Sequence, residues 1–303
     1  MKTTCKKLVH GIEAFFIEKI ISSSLKINER QKRLISSGLK KIAFDILGFR
    51  KEYVVKSISD RLEVPLSKAT DIAGKAYFHF FNNCMTMISL SLGKPEALLS
   101  SIKITGFDYF KEAYSRNSGV IILSGHYGLW ELIPHFFSLN GYKMTSVVRR
   151  QSNQHVDIIM ENMRKAHGAS TTDSGFNMRQ SLKDLRNGNL LGLMIDQNAG
   201  DKGIFIDFLG KPASTVPGPA ILSEKTEAPL VLAIVRPSQN ALHKHEVEFF
   251  PPFYPENYFN SSNGRFELTA RYSDLFCSII KKNPEQWFWL HRRWKSNNTF
   301  SSL

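Results

Sequence analysis

The stretch GVIILSGHYGLWE (119–131) decides how the chain is read. Its continuous apolar run, bounded by turn residues, predicts a strand. The run ends in Ser-Gly and then presents a His, with a Glu five residues further on. Ser124 reads as a strand-end turn residue. Gly125 and Gly128 would let a ligand approach the backbone closely.

Working outward, strands alternate with helical patterns. GVIILS (119–124), YKMTSVV (142–148), NLLGLMID (189–196), PLVLAIV (229–235) and HEVEFF (245–250) read as strands. Helical patterns occupy 129–139, 154–167, 177–187, 218–227 and 264–282. This alternation predicts an α/β fold, with a mainly parallel central sheet flanked by helices. Right-handed crossovers then put the functional edge at the C-terminal ends of the strands, where SGH sits. Ahead of this domain (118–303) lies an N-terminal helical region, 1–117, with helices expected at 5–22, 29–47, 50–62, 66–92 and 106–115. The uncharged run 76–93 carries His79, Asn82 and Asn83, and is read as a buried helix rather than a membrane span.

Composition narrows the class. The 303 residues are 42% hydrophobic and 22% charged, which is globular, and the net charge is +13. Such a surplus suits polyanions, anionic lipid headgroups or an acidic protein. Cys5, Cys84 and Cys277 lie far apart with no metal-ligand spacing, so reduced thiols are expected and no metal site. A nucleic-acid-binding protein would explain the charge, but no helix-turn-helix, RNP or C2H2 signature is present, so no nucleic-acid partner is expected.

His126 with Glu131 suggests a base and its orienter. Within one ideal helix, positions five apart lie about 140° apart around the axis. With His126 in the turn ahead of the helix, its ring would fold back to the Glu131 carboxylate, which would fix the tautomer and leave the other nitrogen basic. Acyl transfer to an alcohol needs such a base, and donors for the developing oxyanion. Backbone N–H groups of residues 127–129, at the expected helix start, are candidate donors. No G-x-S-x-G elbow is present, so direct attack by a substrate hydroxyl is favoured over an acyl-enzyme. A hydrolase using the same pair with water fits the residues equally.

HYGLWE, VVRRQSN (147–153), RKAHG (164–168), MIDQNAGDKGIFIDFLGKPAST (194–215) and PEQWFWLHRRWK (284–295) closely resemble the late acyltransferases of lipid A biosynthesis. That lauroyl/myristoyl transferase group belongs to the lysophospholipid acyltransferase superfamily. The resemblance covers roughly 119–296. It implies transfer of a fatty acyl chain from acyl carrier protein, or acyl-CoA, to a hydroxyl of a lipid A precursor or related glycolipid, with no further cofactor. An aminolipid acceptor is the alternative within the same chemistry. The protein would then act peripherally on the cytoplasmic face of the bacterial inner membrane, against anionic lipids. His126 resembles the family's catalytic base and Glu131 its acidic partner, with Arg149, Arg164, Asp196 and Gln197 at substrate-binding positions. Phe208, Gly210 and Thr215 match a further conserved segment, in which Leu209 replaces the usual second Phe. Trp287, Trp289 and Trp294, interleaved with His291, Arg292, Arg293 and Lys295, suit either a membrane interface or a packed tail.

Overall fold

A computed structural model of the protein describes residues 27–173, 178–238 and 244–296. The helix expected at 5–22 lies outside the described residues. Helix α1 (Glu29–Lys40) opens with a reciprocal cap: the Gln31 amide donates to Asn28 Oδ1, and the Asn28 amide donates to Gln31 Oε1. The helix expected to run on to 47 instead widens into a π-helical segment, Lys41–Ile46. Then come α2 (Lys51–Leu62), α3 (Leu66–Leu92), α4 (Pro95–Ser100), β1 (Ile102–Thr105) and α5 (Phe107–Tyr114). No helix among the described residues is long and apolar enough to cross a membrane.

The core follows as β2 (Val120–Ser124), α6 (Leu132–Leu139), β3 (Met144–Val148), α7 (Gln154–Lys165), β4 (Ser170–Asp173), α8 (Met178–Arg186) and β5 (Leu190–Met194). A two-stranded hairpin, β6 (Ile204–Asp207) and β7 (Pro212–Thr215), leads into α9 (Gly218–Thr226). The chain continues through β8 (Leu230–Pro237), β9 (His245–Phe249) and α10 (Gly264–Lys282) to the tail.

The seven-stranded sheet has the order β1-β9-β8-β2-β5-β3-β4 and is parallel except between β8 and β9. Every residue of β2 is buried. Ile121 and Leu123 enter one apolar cluster, with α9, α10 and the tail; Val120 and Ile122 enter the other, with α5 and α6. That two-sided burial explains why the run in the sequence is continuous and not alternating. The sheet begins at Ile102, inside the stretch expected to be helical. β1 and β4, the two edge strands, and the hairpin were not among the strands expected from the sequence.

Candidate active site

The register of β2 and β5 builds the centre. Ser124 lies opposite Met194, and Ile195 N–H donates to Ser124 O, so the residues two places beyond each strand meet. Those residues are His126 and Asp196. The His126 Nδ1 lies 2.9 Å from Asp196 Oδ1, while the His126 backbone N–H donates to Asp196 Oδ2 at 2.8 Å. Trp287 Nε1–H donates to the same Oδ2 at 2.9 Å. Asp196 is thus fully used behind the imidazole, and only 2% exposed.

Burial pushes the Asp196 carboxyl upward, but the His126 charge and its hydrogen-bond donors outweigh this and hold it well below the usual carboxylate range. For His126, burial pushes downward. The Asp196 carboxylate overrides it, with a smaller contribution from Glu131, and the net shift is upward. An ionised carboxylate on Nδ1 places the imidazole proton there and leaves Nε2 as the basic atom. Nε2 faces the Gln197 side-chain amide nitrogen at 3.3 Å. The His126 side chain keeps 19% of its surface exposed, beside the rings of Trp130 and Phe288, and Phe80 of α3 packs on Phe288. The buried Ser124 hydroxyl has no hydrogen-bond partner among the described residues, so no Ser–His pair is formed.

The expected His126–Glu131 contact is not formed. Helix α6 starts only at Leu132, so His126 and Glu131 are separated by an irregular turn, and Asp196 already occupies Nδ1. Glu131 instead receives a two-pronged ion pair from Arg164 of α7: Nε to Oε2 at 2.9 Å and Nη2 to Oε1 at 2.5 Å. Arg164 is therefore committed to a carboxylate through Nε and Nη2. Arg149 is exposed just past β3. Asp196, expected to meet substrate, lies behind His126 on Nδ1, while Gln197 lies on the Nε2 side.

Two further expectations change. The amides of residues 127–129 are occupied: Tyr127 N–H donates to Gly125 O, Gly128 N–H to Gln286 O and Leu129 N–H to Val235 O. They are not available to an oxyanion. The glycines admit protein, not ligand. A Cβ at Gly125 would strike the Phe276 ring, and one at Gly128, which has φ +56°, would strike the Val235 carbonyl. The His126 turn is held on another side by α3, where Asn83 Nδ2 donates to Gly128 O at 2.8 Å.

The tail holds the site from within. Trp287 and Trp289 are buried, so they belong to the core and not to a membrane interface; Arg292 and Lys295 remain exposed. Phe288 N–H donates to His126 O, which with the Gly128–Gln286 bond pairs the tail with the His126 turn. Arg293 is completely buried, and burial pulls its guanidinium down to about 10. It donates to Gln197 O, Ser214 O and Thr215 Oγ1, and lies 4.6 Å from the Phe208 ring centroid. One side chain thus ties the end of β5 to the hairpin. His291 Nε2 accepts the Asn198 N–H, and burial pulls this ring down to about 4. Trp287 and Arg293 were missed as site residues in the sequence, although the tail motif that carries them is conspicuous there.

Trp287→Phe keeps an aromatic ring but removes the donor on Asp196. A hydrogen bond to a charged group contributes about 1.5–3 kcal/mol to stability, so Asp196 is held less firmly behind the imidazole and turnover is expected to fall through lost orientation of His126. The carboxylate, left with one donor fewer, holds the imidazolium more strongly, and the acidic limb of kcat/KM should move to higher pH. A lower melting temperature with an unmoved limb would mean that the indole only packs.

Among the described residues there is no grouping of three or more His, Cys, Asp or Glu able to hold a metal ion. Among curated proteins no relative matches the chain. The family model described as bacterial lipid A biosynthesis acyltransferase matches residues 68–296, a span that takes in α3, the sheet, His126, Asp196 and the tail. The chain belongs to the bacterial lipid A biosynthesis acyltransferase family.

Proposed function

We propose that the protein transfers a fatty acyl chain from a thioester, carried by acyl carrier protein or coenzyme A, to a hydroxyl of a lipid A precursor, with His126 as general base. The observation that carries this reading is the Asp196–His126 pair, which turns a basic Nε2 toward the opening between Trp130 and Phe288. The acceptor hydroxyl gives its proton to Nε2 as its oxygen attacks the thioester carbonyl carbon. The tetrahedral intermediate then expels the thiolate, which takes the proton back from Nε2. The Gln197 amide, 3.3 Å from Nε2, is the side-chain donor we assign to the developing oxyanion. The aromatic walls suit a hydrocarbon chain. The reaction draws on no further cofactor, and a net charge of +13 favours encounter with an acidic carrier and a phosphorylated acceptor. The protein would work peripherally on the cytoplasmic face of the inner membrane.

The test is mass spectrometry of the lipid product after incubation with a lipid A precursor and acyl carrier protein thioesters of several chain lengths. A product heavier by one acyl group is expected, together with little thioester loss when acceptor is omitted. Equal thioester loss without acceptor would make the protein a hydrolase. Acylation of another glycolipid or an aminolipid, and not of the lipid A precursor, would replace the acceptor.

A further inference from the structure

Helix α1 is built inside out. Lys32 and Ser36 are buried on it, with Lys32 paired to Glu29 and the Ser36 hydroxyl donating to Lys32 O, while Leu34 is 64% exposed and Ile35 is also exposed. The polarity stays inverted through the π-helical segment. Just past it, the Leu47 and Phe49 amides reach back to Ile42 O and Ala43 O, longer spans than the i→i−4 bonds of an α-helix. Phe44 turns inward, whereas Ile42, Ile46 (68% exposed), Leu47 (71%) and Phe49 turn out. A soluble surface scatters such residues singly; a run of them over so short a stretch marks a contact with an apolar phase.

The rim of this face is basic. Arg30, Arg33, Lys41 and Arg50 are exposed around it, and Asp45 is neutralised by Lys40 at 2.9 Å. Apolar side chains ringed by cations match an anionic lipid surface, where the chains enter the acyl boundary and the cations meet headgroups. The face is also joined to the candidate active site. Arg50 Nη1 donates to Leu290 O, the Tyr77 hydroxyl of α3 donates to Phe49 O, and α3 in turn holds the His126 turn through Asn83.

We propose that residues 34–49 form the membrane-docking face of the protein, inserting Ile42, Ile46, Leu47 and Phe49 into the interface of a bilayer that contains anionic lipid. The proposal rests on the reading of a lipid acceptor, which such docking would deliver along α3 to His126. It replaces the Trp-rich tail, where Trp287 and Trp289 are buried and Trp294 is half-buried, as the surface that meets lipid.

The experiment uses the full chain. Partition onto phosphatidylethanolamine–phosphatidylglycerol vesicles and onto phosphatidylcholine vesicles is measured for wild type, Ile46→Ser/Leu47→Ser and Ile46→Glu/Leu47→Glu. Because both positions are exposed, the melting temperature should not change. Wild type is expected to prefer the anionic vesicles. The serine pair should lose roughly tenfold or more in partition, since each aliphatic side chain withheld from the apolar phase weakens binding severalfold. The glutamate pair should lose more. Turnover of detergent-dispersed acceptor should stay at wild-type level, because neither side chain belongs to the site. Hydrogen exchange should show 41–50 protected on adding anionic vesicles. Unchanged partition of both variants would overturn the proposal. So would a dimer that the glutamate pair dissociates, which would assign the face to a second copy. Loss of vesicle binding by the variants, with no acyl transfer by wild type, would leave the docking face standing and remove the proposed reaction instead.

Discussion

A His126→Ala protein that folds normally is expected to lose about 10²–10⁴-fold in turnover, the range for general acid–base catalysis and equivalent to about 3–5 kcal/mol of transition-state stabilisation. Binding of the thioester donor should be largely retained, because the imidazole acts on the acceptor's proton and not on the acyl chain. The wild-type pH profile should share the cause. His126 works only as the neutral base, and its pKa is raised by Asp196, so activity should fall as pH drops through a value above the ordinary histidine range. Near-normal turnover by the folded alanine variant, measured with acyl carrier protein thioester and lipid acceptor, would remove His126 from the chemistry.

The same residues show what the sequence could and could not reveal. Strands buried on both faces announce themselves as apolar runs, which is why β2, β5 and β8 are legible within a residue or two. β1 (IKIT) and β4 (STTD) sit at the sheet's two edges, where one side is unpaired and short strands suffice. STTD has no apolar residue, and the alternation in IKIT spans only four residues, too few to stand out from the helical patterns around it. The candidate site was half legible. His126 is marked by its place after a buried strand, but its partner lies 70 residues away and is brought in by strand register. Glu131 is near in sequence yet turned away by an irregular loop, whose bonds to β8, α3 and the tail have no local signature. The tail motif left two readings open for a physical reason. Trp beside Arg suits a lipid interface, but a buried Arg can also donate to a backbone carbonyl and lie over a ring face, as Arg293 does on Ser214 O and Phe208.

Asp196→Asn should cost nearly as much as His126→Ala, by a different route. In the native site Oδ2 accepts both the His126 backbone N–H and the Trp287 indole, and an asparagine carbonyl in that place keeps both bonds. Its amide nitrogen then takes the position of Oδ1 and points N–H at Nδ1. To accept it, the imidazole must carry its proton on Nε2, which removes the lone pair that would receive the acceptor's proton. A loss of about 10²–10⁴-fold is expected with the fold intact, together with a shift of the remaining acidic limb to lower pH, because the carboxylate that raised the His126 pKa is gone. A double variant with His126→Ala should be little worse than either single change, since groups that act as a unit are not additive. Glu131→Gln provides the contrast. It breaks a largely buried ion pair and leaves Arg164 uncompensated, which destabilises on the order of 3–5 kcal/mol. Its loss of activity should therefore come with a clear drop in melting temperature and little movement of the pH limb. Steady-state rates across pH, paired with thermal melts of the same samples, separate the two. If Asp196→Asn were near normal while a thermally intact Glu131→Gln were inactive, the orienting carboxylate would be Glu131, and Asp196 would only fasten the tail to the turn.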